Sequence, residues 1–203
     1  KPFIKLYARL LMLGSCVLAF CRVDAATQWV EEGDHKWRSL EVSTGSGSGF
    51  TLLNPDLTGI HFRNDLGAEK SLQNQVYLNG SGVALGDVNG DGLCDIYLCS
   101  LEGLNHLYLN KGNWKFEEAA KSYGVDCANK DSTGAALSDL DGDGDLDLIV
   151  NTIHSGTLLF RNTGAGFSQA LGQAAGMDKA RGGMSVAIAD IDGDGLLDFY
   201  VAH

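Results

Sequence analysis

A nine-residue motif occurs three times at nearly constant intervals, and this periodicity constrains the fold more than any other property of the chain. Asp87-Val88-Asn89-Gly90-Asp91-Gly92-Leu93-Cys94-Asp95 returns as Asp139-Leu140-Asp141-Gly142-Asp143-Gly144-Asp145-Leu146-Asp147. It returns again as Asp190-Ile191-Asp192-Gly193-Asp194-Gly195-Leu196-Leu197-Asp198, so the starts lie 52 and 51 residues apart. The flanks repeat in phase. Short runs of small apolar residues precede the motifs (Val83-Ala84-Leu85, Ala135-Ala136-Leu137, Val186-Ala187-Ile188). β-prone runs follow them (Ile96-Tyr97-Leu98, Leu148-Ile149-Val150, Phe199-Tyr200-Val201). Later in each period, residues 107–110 match 158–162, and each stretch leads through a glycine-containing turn to Phe116 or Phe167. One period therefore holds about four short strands.

Repeats of this length with four strands each predict an all-β fold built from propeller blades. The small residues before each motif suit an innermost strand, where blades converge and space is tight. The third copy ends just after its second strand. The expectation is thus a partial β-propeller of about two and a half four-stranded blades, incomplete at the C-terminus. Residues 117–123 predict a short helix, and strands are expected over 38–42 and 59–62.

Composition sharpens this picture. With 44% hydrophobic residues the chain can bury a core and is not intrinsically disordered. Its 27 glycines follow no Gly-X-Y period, which excludes collagen and points to many tight turns. The net charge is −11, yet twelve of the 26 acidic residues sit in the three motifs, leaving 14 acids against 15 bases elsewhere. Such local acidity argues against nucleic acid as a partner, since phosphate binding needs a basic face. It also calls for a cation, because packed carboxylates repel one another unless neutralised.

In each motif, Asp or Asn occupies positions 1, 3, 5 and 9, and position 6 is a glycine that can take the positive φ of a sharp turn. Side-chain oxygens at 1, 3, 5 and 9 with the carbonyl at 7 make a hard oxygen cage suited to Ca²⁺ more than to Mg²⁺. Position 2 (Val88, Leu140, Ile191) can anchor the loop in the core. Position 12, where an EF-hand needs a bidentate glutamate and a helix, is Leu98, Val150 or Val201 inside a β-prone run. By ligand charge alone, affinity is expected to fall from the Asp139 loop through the Asp190 loop to the Asp87 loop.

Loops and strands together resemble the FG-GAP repeats of integrin α-chain propellers, also called VCBS-type repeats. They are similar to those of exported bacterial and cartilage acidic protein-type proteins that carry an ASPIC/UnbV domain. The resemblance covers about residues 76–203 and implies a seven-bladed ring with a Ca²⁺ ion between the first and second strand of a blade. Three Ca²⁺ sites are implied. Asp87, Asn89, Asp91, Leu93 (carbonyl) and Asp95 hold the first. Asp139, Asp141, Asp143, Asp145 (carbonyl) and Asp147 hold the second, and Asp190, Asp192, Asp194, Leu196 (carbonyl) and Asp198 the third. The family's Gly-Ala-Pro element after the second strand is absent: Ser100-Leu101-Glu102, Asn151-Thr152-Ile153 and Ala202-His203 stand there. That departure weakens any inference of integrin-like ligand binding.

The first 25 residues read as a secretory signal peptide. Lys1, Lys5 and Arg9 precede an apolar run over 10–20, and Val23-Asp24-Ala25 supplies a cleavage site. The run is too short to span a bilayer. Leu13-Gly14-Ser15-Cys16 also has the layout of a lipoprotein box, although few apolar residues precede it. Residues 26–75 form an N-terminal segment with a Gly/Ser-rich turn at 44–49, read as part of a ring-closing blade, and the repeats occupy 76–203. Export permits disulfides. Strand order puts Cys99 and Cys127 at one end of the blades and Cys94 at the other. A Cys99–Cys127 bridge with Cys94 as a small buried hydrophobe is expected, the alternative being three free buried thiols. Tyr97, Tyr108, Phe160 and Tyr200 are expected in the core.

The functional expectation is an exported, calcium-binding, non-catalytic scaffold for adhesion to a protein or glycan partner. The alternative is the platform or accessory domain of an exported hydrolase or polysaccharide lyase. His35, His61, His106, His154 and His203 are dispersed and form no zinc or triad motif.

Overall fold

The computed structural model describes residues 29–33, 35–38, 49–170 and 182–202. The signal-peptide reading, the box at Cys16, all but Arg38 of the strand expected over 38–42 and nearly all of the Gly/Ser-rich turn lie outside them. The chain divides into two compact units, Lys1–Thr51 and Leu52–His203. In the first, β1 (Val30–Glu32) and β2 (His35–Trp37) form an antiparallel hairpin around Gly33, whose φ is +64°.

The second unit opens with helices rather than strands. Asn54 accepts the Asp56 N–H at 2.9 Å, Pro55 supplies a preset first residue, and Gly59 stops the turn at φ +80°. These signals make α1 (Pro55–Thr58), and residues 59–62 continue as irregular chain, which corrects the strand expected there. Next come α2 (Ala68–Gln73) and a 3₁₀ turn over Gln75–Asn79.

The repeats then fold as blades. β3 (Val83–Gly86), β4 (Asp95–Leu98), β5 (His106–Asn110) and β6 (Phe116–Glu118) form one antiparallel four-stranded sheet. After α3 (Ala120–Tyr123), a second such sheet comprises β7 (Ser132–Ser138), β8 (Asp147–Thr152), β9 (Thr157–Asn162) and β10 (Phe167–Ala170). β11 (Ser185–Ala189) and β12 (Asp198–Ala202) pair as the start of a third. Register repeats with sequence phase: Leu85 faces Ile96 and Ile96 faces Tyr108, as Leu137 faces Leu148 and Leu148 faces Phe160. The fold is all-β and propeller-like, with few short helices. The helix expected over 117–123 is split, because Glu117 and Glu118 pair with Leu109 and Tyr108 as strand and only 120–123 turn.

Inner strands meet backbone to backbone. A methyl group on Gly82 would stand 2.7 Å from the Gly134 Cα, and one on Gly134 would stand 3.0 Å from the Met184 carbonyl oxygen. Outward from this line, Tyr97, Leu107, Val125, Leu148, Val150 and Phe160 build one buried cluster. Polar ties cross it: Tyr97 donates its hydroxyl to the Val125 carbonyl at 2.7 Å, and Asn105 Nδ2 donates to Ser132 Oγ at 2.9 Å. At the end of the blades away from the motif loops, Lys70 Nζ lies 2.6 Å from Asp131 Oδ1, and the Tyr77 hydroxyl donates to Asp131 Oδ2 at 2.8 Å. Burial, reinforced by that hydrogen bond, pushes the Tyr77 pKa up to about 12.

Tyr97, Tyr108 and Phe160 are buried as expected, but Tyr200 is 68% exposed. It occupies the phase of Tyr97, and among the described residues nothing equivalent to Val125 and Cys127 covers it. The cysteine expectations are also corrected. Cys94, Cys99 and Cys127 are free thiols, and Cys94 is exposed. Cys99 and Cys127 do share one core cluster, where the Tyr97 hydroxyl sits 3.6 Å from Cys127 Sγ. Burial pushes Cys99 up to about 12 and raises Cys127.

Two outcomes follow from this packing. Gly82→Ala forces backbone apart and is expected to destabilise the repeats by about 1–3 kcal/mol, measured by urea unfolding. Native alkylation with iodoacetamide at neutral pH is expected to label Cys94 and spare Cys99 and Cys127. Peptide mapping that finds the buried pair labelled in the native state would contradict the packing described.

Candidate metal centre

Each motif links the first two strands of its sheet, and backbone amides fold it around its own aspartates. Glycines at positions 4 and 6 all have positive φ: +71° and +82° in the first loop, +77° and +96° in the second, +77° and +87° in the third. That conformation costs other residues energy but not glycine. It turns successive N–H groups inward onto the position 1 carboxylate. Asp87 Oδ2 accepts Gly92 N–H at 2.7 Å, Asp139 Oδ2 accepts Gly144 at 3.0 Å, and Asp190 Oδ2 accepts Gly195 at 3.0 Å. The Gly92 N–H, chief among several amides, holds the Asp87 carboxyl below its ordinary range. Position 5 is fixed by the amide two residues on: Asp91, Asp143 and Asp194 accept the N–H of Leu93, Asp145 and Leu196 at 2.9, 2.9 and 2.8 Å.

Positions 1, 3 and 5 converge. Oxygens of Asp139, Asp141 and Asp143 lie within 4.8 Å of one another, as do those of Asp190, Asp192 and Asp194. In the first loop Asn89 takes the middle position, and its Nδ2 donates to Asp91 Oδ2 at 3.1 Å. Such clusters present only oxygen donors, the chemistry of hard cations. Leu93, Asp145 and Leu196, expected to contribute carbonyls, sit on the exposed rim of the loops.

Position 9 behaves differently. Asp95 and Asp147 are buried, and each spends both oxygens on backbone donors. Asp95 accepts Val88 N–H at 3.0 Å and Asn110 N–H at 2.7 Å. Asp147 accepts Leu140 N–H at 3.2 Å and Asn162 N–H at 2.8 Å. Asp198 accepts Ile191 N–H at 3.0 Å. Burial raises the pKa of Asp95 and Asp147 against the pull of those amides. A carboxylate oxygen has a second lone pair, so these ties leave capacity for a cation. The anchoring role of position 2 is fulfilled by Val88, which is buried, whereas Ile191 is 73% exposed.

Two further residues tie the loops to the sheets. Asn110 and Asn162 stand at one phase of the repeat. Asn110 Nδ2 donates to the Cys94 carbonyl at 3.0 Å, and Asn162 Nδ2 donates to Leu146 at 3.2 Å and to Val88 of the preceding loop at 2.9 Å. Their matched positions were visible in the sequence; their partners were not. Three of the histidines have partners outside the motifs. His61 is 4.0 Å from Asp56, His106 Nδ1 is 3.5 Å from Glu118, and His154 Nε2 is 3.0 Å from the Tyr77 hydroxyl.

The division of labour is testable with a chelator present. Asp95→Ala strands two backbone donors and is expected to cost about 2 kcal/mol or more. Asp91→Ala removes an exposed carboxylate and is expected to change stability by less than ~0.5 kcal/mol. Equal losses in urea unfolding would erase the distinction between positions 5 and 9.

A family model described as "FG-GAP-like repeat" matches residues 87–150 and 139–201. Cartilage acidic protein 1 from Homo sapiens, Xenopus tropicalis and Mus musculus is 34% identical over 91 residues. That stretch is 45% of this chain and spans 14% of the length of those relatives. Among the described residues no helix is long and apolar enough to cross a membrane. Matched from the first motif loop to the last strand, the chain belongs to the FG-GAP-like repeat family.

Proposed function

We propose that this region is a Ca²⁺-stabilised, non-catalytic propeller segment that acts outside the cell as an adhesion scaffold for a protein or glycan partner. The observation that carries the calcium reading is the convergence of three aspartate carboxylates within 4.8 Å in the second and third loops. Like charges this close repel strongly unless a cation joins them. All donors are oxygen and glycine-shaped backbone holds them in place, a set that suits Ca²⁺ better than Mg²⁺, which demands stricter octahedral geometry and keeps more of its water. Positions 1, 3 and 5 would hold the ion, with positions 7 and 9 completing its shell. Ligands drawn from one short loop between two strands would fix that loop on its sheet, which supports a structural role. Membership of the repeat family and the similarity to cartilage acidic protein 1 support an extracellular interaction role.

Ca²⁺ that binds only the folded state raises its stability by mass action. Adding chelator is expected to lower the melting temperature, and excess Ca²⁺ to restore it while equal Mg²⁺ does not. A melting curve indifferent to chelator would remove the calcium reading.

A further inference from the structure

Ligand charge would make the Asp139 loop the tightest of the three sites. One side chain outside the motif argues otherwise. Arg161, on β9, places Nη1 2.9 Å from Asp141 Oδ2. Asp141 is the position 3 carboxylate, 19% exposed at its side chain, and one of the three that converge. A guanidinium stays charged at any ordinary pH, so a permanent cation rests on a carboxylate a metal ion would use. The first repeat does not supply it: the same phase there is Leu109, and the first loop bridges its acidic positions with the neutral Asn89 amide. Among the described residues no cation pairs with Asp190, Asp192 or Asp194.

The surroundings allow this arginine to move. Its stem borders a cavity of about 200 Å³ between the second sheet and the β11–β12 pair, lined also by Leu140, Leu159, Leu197 and Phe199. Its side chain is 60% exposed. The guanidinium can therefore leave Asp141 without breaking buried structure.

We propose that Arg161 is a tethered counter-cation that competes with divalent metal for the second loop. The inference rests on the calcium reading above. It makes the most acidic loop weaker than the third, and it makes occupancy of that loop sensitive to anything that draws the arginine away. In the metal-free protein the guanidinium neutralises part of the cluster; in the metal-bound protein it is repelled from it.

The position 6 glycines report each loop separately, because their N–H groups rest on the position 1 carboxylates. Ca²⁺ is titrated into ¹⁵N-labelled full-length chain while the amide signals of Gly92, Gly144 and Gly195 are followed by NMR. In the wild type Gly195 is expected to shift at lower Ca²⁺ than Gly144. In Arg161→Leu the Gly144 midpoint is expected to fall about tenfold, equivalent to ~1.4 kcal/mol, with Gly92 and Gly195 unchanged. Arg161→Gln, which keeps most of the stem and a polar head without the charge, should act alike and serves if the leucine variant does not fold. A Gly144 midpoint that stays put or rises in both variants overturns the inference, since an arginine that merely supports the loop would weaken binding when lost. No response at any glycine in wild type or variants would fell the calcium reading, and this inference with it.

Discussion

A buried aspartate at the start of the second strand holds each complete blade together. Asp95 and Asp147 each join three pieces of chain: their own strand, the second residue of the loop behind it, and the end of the third strand. Charge-assisted hydrogen bonds of this kind are roughly twice as strong as neutral ones. Burying the carboxylate opposes them, which is why its pKa is raised and not lowered despite two amide donors. The loop's position relative to the sheet depends on that balance. Everything exposed in the loop, including the converging carboxylates, is displayed from this fixed base.

The strand pattern was legible because repetition suppresses chance. A β-prone run seen once is ambiguous, but three runs at one phase leave little freedom, and the glycines at position 6 have the positive φ their place in the motif requires. Legibility failed where a residue's fate depends on its neighbour in space. Val88 and Tyr97 are met by residues later in the chain, Asn162 and Val125, whereas Ile191 and Tyr200 carry the same pattern and are exposed. Residues 59–62 looked extended by composition, while Asn54, Pro55 and Gly59 had already committed the chain to a helical turn. Cys99 and Cys127 were correctly placed at one end, but the Tyr97 hydroxyl, and not a second sulfur, meets Cys127.

The candidate site divided in the same way. The convergence of positions 1, 3 and 5 was readable from spacing, since these side chains lie within nine consecutive residues. Arg161 was not, because it comes from a different strand at a phase where the other complete repeat has leucine. Position 9 was read only as a ligand, and its ties to the sheet emerged from the fold. Local motifs announce which atoms gather; long-range topology decides what else gathers with them.

The hydrogen bond from Asn162 to the Val88 carbonyl spans 74 residues. A ribosome adds about 5–20 residues each second, so the acceptor emerges on the order of 4–15 s before its donor. During that interval the first loop has its own internal hydrogen bonds but not the one that fastens it to the following blade. Synthesis therefore leaves the first loop unlatched until the third strand of the second blade has emerged. A nascent chain of this design carries its least finished acidic turn near the exit tunnel, where an early cation would meet a loop still free to adjust.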